Sequence, residues 1–189
     1  MADYTVISDV GNALVSVLRE NMVPDVILNP ESIGLCSPEE KGDMVLGVCL
    51  YDVRESEEYR YSGMVSDDVS HQKYPSMYLS LHYMVTAYSN GDVKFRASEE
   101  QKILGKALQV LADYSILDPV TYQPMEQSGP GGIQIMLQSI PQEDKLKLWT
   151  VPNKAYHLSL FLKVGPVELE SAKIKQVQRV VDVEYLVKE

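Results

Sequence analysis

The sequence predicts an α/β (α+β) fold: a mixed, mainly antiparallel sheet of about five or six strands, packed with two main helices and one short helix. Three observations predict it. Apolar residues recur at every second position in several separate stretches, which is the period of a strand. Two other stretches carry them three and four residues apart, the period of a helix. Neither an internal repeat nor a compositional boundary divides the chain, and Pro- and Gly-bearing breaks punctuate it throughout. The 189 residues, 45% hydrophobic and 23% charged, suit one folded domain at 1–189 with a long arm or loop at about 54–75.

Thr5 to about Met22 reads as a helix. Val6, Val10, Leu14, Val17 and Leu18 form its stripe, and Pro24 ends it. Asp25–Asn29 reads as a short edge strand, since Pro30 follows at once. Pro30–Asp43, rich in Glu, Ser, Pro and Gly, reads as a loop. Met44–Val53 is apolar on both alternating faces. Met44, Leu46, Val48 and Leu50 make one, and Val45, Cys49, Tyr51 and Val53 the other. A strand of this kind is covered on both sides and belongs in the middle of a sheet. It ends in a tract of mixed charge that cannot follow it inside: Asp52, Arg54, Glu55, Glu57, Glu58 and Arg60. Arg54–Pro75 is long and polar and reads as a surface extension.

Ser76–Tyr88 is the second long strand, with Met77, Leu79, Leu81, Tyr83, Val85 and Ala87 on one face. Its other face, Tyr78 through Tyr88 at alternate positions, is mixed and aromatic, as beneath a helix or at a subunit boundary. Ser98 opens the second helix, with Gln101 completing a capping box. Its apolar face is Ile103, Leu104, Ala107, Leu108, Leu111 and Tyr114, and Asp118–Pro119 stops it. Thr121–Gly132 is a loop. Ile133–Leu137 is a half-exposed strand, and Gln142–Trp149 a short helix. Tyr156–Val164 is a strand that Gly165–Pro166 breaks. Lys175–Lys188 alternates Val177, Arg179, Val181, Val183, Tyr185 and Val187 as a last strand.

Charge and motif content narrow the function. A net charge of -10 argues against binding a nucleic-acid backbone. No apolar run approaches the roughly 20 residues of a bilayer span, so no integral membrane segment is expected. Met1–Tyr4 lacks the basic start of a signal peptide, which points to the cytoplasm. Two cysteines make no disulfide framework; both are expected reduced, with Cys49 a small core residue. His71, His82 and His157 have no metal-ligand spacing. His82 and His157 fall on the less apolar faces of two strands and would meet if those strands were neighbours. Gly129–Gly132 lacks the Gly-Lys-Ser/Thr of a phosphate loop, and Pro130 removes an amide donor. The run Glu55, Glu57 and Glu58 has no apolar pocket to tune it for acid–base work. No catalytic residue, cofactor or metal ligand is expected. The interface candidates are Arg54, Glu55, Glu57, Glu58, Arg60 and Trp149. Trp149 runs straight into the turn at Pro152–Asn153 and reads equally as an interface anchor or as a plug at the end of the core.

Six stretches carry a family resemblance: Leu35–Asp43, Leu50–Glu55, Tyr74–Ser89, Ile103–Leu111, Trp149–Lys154 and Val164–Ser171. Together they resemble the N-terminal domain of the cap, or tail-terminator, proteins of extracellular contractile injection systems. These are phage-tail-like particles of the Photorhabdus virulence cassette and antifeeding prophage type. The resemblance runs from about Thr5 to Val187. It implies a non-enzymatic structural role and a tail-terminator-like fold. It further implies a hexameric ring at the end distal to the baseplate, where the cap ends the inner tube and anchors the last ring of the sheath. The implied partners are other copies of this chain and the tube and sheath proteins. The implied location is the cytoplasm during assembly, then a particle that is extracellular or cytosolic. Two alternatives stay open: another sheath, tube or baseplate adaptor of the same particle, and a small-molecule enzyme built on His82 and His157.

Overall fold

The computed structural model describes residues 4–59, 63–66, 71–117, 132–149 and 156–176. Helix α1 spans Val6–Met22 and buries Val10, Leu14, Val17, Leu18 and Met22 completely. Val23 after it is extended, as the residue before Pro24 must be. Asp25–Asn29 is not the expected strand. The Val26 and Ile27 amides turn back to the Met22 carbonyl, and Pro30–Ser32 forms a 3-10 turn capped by the Asn29 side chain. The edge strand β1 comes later, at Ile33–Leu35, within the stretch read as loop. Pro30 suits the first position of a turn better than it suits the end of a strand.

The remaining strands are β2 (Leu46–Glu55), β3 (Val65–Ser66), β4 (His71–Lys73), β5 (Met77–Ala87), β6 (Ile116–Leu117), β7 (Ile133–Leu137), β8 (Ser159–Leu169) and β9 (Ile174–Gln176). Among the described residues six of them form one sheet in the order β1-β2-β5-β8-β7-β6. The β1–β2 pair is parallel and the other pairs are antiparallel, so the sheet is mixed and mainly antiparallel, as predicted.

The middle of the sheet belongs to β5 and β8, not to β2. Three residues of β1 flank β2, which is buried to Val48, half-buried to Asp52 and exposed from Val53. A one-residue bulge explains its apolar-on-both-faces reading. Leu50 pairs with Tyr83 and Asp52 with His82, leaving Tyr51 unpaired between them. Tyr51 and Asp52 therefore share a face, and Val53 crosses to stand opposite Leu81.

Helices α1 and α2 (Val93–Asp113) cover one face, in a core that includes Leu14, Leu18, Leu46, Leu81, Tyr83, Leu104, Leu111 and Leu162. Helix α2 starts at Val93, earlier than Ser98. Asp92 is the cap, its side chain accepting from the Lys94 amide at 3.0 Å. Glu99 and Glu100 instead reach back to Ser89, whose hydroxyl donates to Glu99 and whose amide donates to Glu100. The helix also ends sooner, at Asp113, so Tyr114 lies beyond it and the chain turns into β6. Asp118–Pro119 lies outside the described residues, as does the loop expected at Thr121–Gly132 apart from Gly132.

The short helix α3 (Gln142–Leu148) crosses the opposite face. There Met84, Tyr88, Phe161 and Trp149 form a second core, with Cys49, Tyr51, Ile140 and Leu148 packed against it. The expected arm contains a 3-10 turn at Glu57–Tyr59 and strands β3 and β4, which join β9 in a separate three-stranded sheet. Of the last strand expected at Lys175–Lys188, the part after Gln176 lies outside the described residues.

Strand β8 does not stop at Val164. It continues through Gly165–Pro166 because the ladder bulges there: Leu79 pairs with Val167 and Leu81 with Val164, so Ser80 alone faces both residues. Pro166 has no amide to donate, and the interruption removes the need for one. Gly165 is required by close approach, since a Cβ on it would stand 2.9 Å from the Leu79 carbonyl oxygen. Gly165→Val is expected to destabilise the protein by roughly 1–3 kcal/mol, read from urea unfolding; an unchanged midpoint would contradict this packing.

Candidate functional site

Helix α3 and Trp149 leave part of the second face open. Two hollows of about 330 and 340 Å³ lie there and share Arg54 and Gln138 in their walls, so they form one groove. The end of β2 supplies Asp52, Arg54 and Glu55, and the following 3-10 turn supplies Glu57 and Glu58. Ser80 and His82 come from β5, Lys163 from β8, and Asp144 and Lys147 from α3.

Register explains the arrangement. Asp52 pairs with His82 and His82 with Lys163, so a row of titratable side chains crosses three neighbouring strands. The bulge at Tyr51 puts Asp52 into that row. Arg54 donates from Nε to Asp52 Oδ2 at 2.6 Å, and this bond holds the Asp52 carboxyl below the usual carboxylate range. Arg54 is well exposed and Asp52 half-buried, so solvent screens the pair and it orients the guanidinium more than it stabilises the fold. His82 is 4% exposed; its Nδ1 lies 2.8 Å from Gln138 Oε1 and its ring leans on Tyr51. Burial pushes the Tyr51 hydroxyl pKa up, so it stays protonated beside the groove. Lys147 donates to Asp144 at 2.9 Å.

These contacts define what the groove can do. His82 is committed to Gln138. Among the described residues no three His, Cys, Asp or Glu side chains cluster as metal ligands. Ammonium, guanidinium and carboxylate groups line the open groove together. Such a surface sets register and selects a partner by charge, as the polar rim of a protein interface does.

Of the residues singled out from the sequence, Arg54, Glu55, Glu57 and Glu58 come together here. Arg60 lies outside the described residues. Trp149 sits next to the groove in the second core, 5% exposed, with ring contacts to Tyr156 and His157. The two histidines do not meet. His82 stands opposite Lys163, whereas His157 lies beyond Ser159 and Thr86, whose hydroxyls bond at 2.8 Å at the other end of the β5–β8 pair. His157 packs instead on Tyr88 and Trp149 and lies 4.0 Å from Glu100. Lys163, Gln138, Asp144 and Lys147 were missed. One signal was present: Lys163 is the only charge between His157 and Glu168.

Residues 9–182 match the family described as the Pvc16 N-terminal domain. The chain belongs to the Pvc16 N-terminal domain family. Comparison with curated proteins gives no match. Among solved structures, this Pvc16 N-terminal domain is similar to the PVC sheath/tube terminator of an extracellular contractile injection system in its extended state. The TM-score is 0.66 at 17% identity, over 100% of this chain and 65% of that one. It is also similar to the anti-feeding prophage cap, a tube terminating cap, with a TM-score of 0.67 at 16% identity, over 95% of this chain and 61% of that one. The chain thus spans a little under two thirds of the length of either protein. At these identities the likeness is one of fold. The Pvc16 N-terminal domain here has the α+β fold of those terminators, and the family read from the sequence is the family found.

Proposed function

We propose that this protein is a structural cap, or tail terminator, of a phage-tail-like contractile injection particle. In this reading it forms a hexameric ring, ends the inner tube and anchors the last sheath ring at the end distal to the baseplate. The observation that carries the reading is the shared fold with a sheath/tube terminator and a tube terminating cap across almost the whole chain. The mixed-charge groove supports it, because a closed ring needs unlike, complementary patches on each subunit. The partners are other copies of the chain and the tube and sheath proteins, met in the cytoplasm during assembly. The role requires no catalysis. No described helix is long and apolar enough to cross a membrane.

Native mass spectrometry of the purified chain, alone and with tube protein, tests the ring. Labelled particles viewed by electron microscopy test the position. A hexameric mass and label confined to the distal end are expected. Label at the baseplate end would favour the adaptor alternative, and absence from intact particles would remove the cap reading.

A further inference from the structure

Cys36 and Cys49 stand at the sheet edge, away from the groove. Strands β1 and β2 run parallel with Leu35 opposite Val48, and the Cys36 amide closes that rung by donating to the Val48 carbonyl at 3.1 Å. Extending the register by one residue puts Cys36 beside Cys49. Neighbouring strands lie about 4.8 Å apart, inside the Cα separation of about 4.4–6.8 Å over which a disulfide closes. The thiols also share a face. The Cys36 sulfur occupies the space that a Cβ on Gly47 would need, and Gly47 lies on the same face as Cys49. Burial first, and then the nearby Cys36 thiol, push the Cys49 thiol pKa up. Both cysteines are free and only partly buried, so an oxidant can reach them.

We propose that Cys36 and Cys49 form a reversible cross-strand disulfide that closes when the protein enters an oxidising medium, locking β1 onto β2. Two S–H bonds break and one S–S bond forms. Two electrons and two protons pass to a disulfide oxidant, which leaves as two thiols. The closed loop is about a dozen residues, short enough to tie down the segment between Cys36 and β2. Burial keeps both thiols largely protonated at neutral pH, so closure is slow, in the manner of a structural staple and not of a redox catalyst. Inside a reducing cytoplasm the pair stays open. This inference is independent of the cap reading, because it requires only the β1–β2 register.

The test is incubation of the full chain with glutathione disulfide, then maleimide labelling in denaturant and non-reducing peptide mapping. The expected product is a Cys36–Cys49 link within one chain, two hydrogens lighter and reversed by dithiothreitol. Its melting temperature rises by about 5 °C. Cys36→Ser and Cys49→Ser should each lose that rise and leave one thiol open to glutathione or maleimide. Two labelled thiols after oxidation, separate glutathione adducts, or links only between chains would each overturn the proposal.

Discussion

Trp149→Ala is expected to cost about 3–5 kcal/mol of folding stability. The indole is 5% exposed and forms one core with Met84, Tyr88 and Phe161. Its Nε1 is buried without a hydrogen-bond partner among the described residues, so the side chain contributes through volume and not through its polar atom. Trp149→Phe, which keeps most of the ring, should therefore cost under about 1.5 kcal/mol. Denaturant unfolding followed by circular dichroism reads both; fluorescence does not serve, because this is the only Trp in the chain. A loss below about 1 kcal/mol for the alanine variant, with assembly abolished, would make Trp149 an interface anchor and not a core plug.

Glu57→Lys combined with Glu58→Lys is expected to leave the fold intact and to stop assembly. Both carboxylates are exposed on a 3-10 turn, where substitutions cost within about 0.5 kcal/mol. They line the groove together with Arg54 and Lys163, so reversal makes that end of it predominantly positive. Like charges brought together across an interface cost several kcal/mol, and incorporation into particles should fall at least tenfold. Asp113→Lys, at the exposed end of α2 on the other face, is the matched control and should incorporate normally. Normal incorporation of the groove variant would mean that the partner docks elsewhere.

Local pattern carried much of the fold. The stripe of α1, the alternation of β5 and β7, and the short helix after Pro141 follow from which residues are apolar and how far apart they stand. The boundaries that moved did so where two local signals competed. Asp92 and Ser98 both carry capping grammar, and Asp92 won because Glu99 and Glu100 reach Ser89 at the end of β5. Gly165–Pro166 reads as a strand end in one dimension, yet it lies inside β8 because Ser80 on the neighbouring strand absorbs the extra residue.

The candidate site divides in the same way. Arg54, Glu55, Glu57 and Glu58 are adjacent in the chain, and a charge tract that follows a buried strand must surface near its end. Composition, the charge tract, the family motifs and the separation into apolar and polar faces are therefore properties of the residue order alone. Three things waited on the tertiary structure. The bulge at Tyr51 chose the face of Asp52 and Val53, strand order placed His82 and Lys163 beside Asp52, and the β1–β2 register brought Cys36 to Cys49. Each depends on which strand lies next to which. That choice is made by packing over long sequence separations, and no local period encodes it.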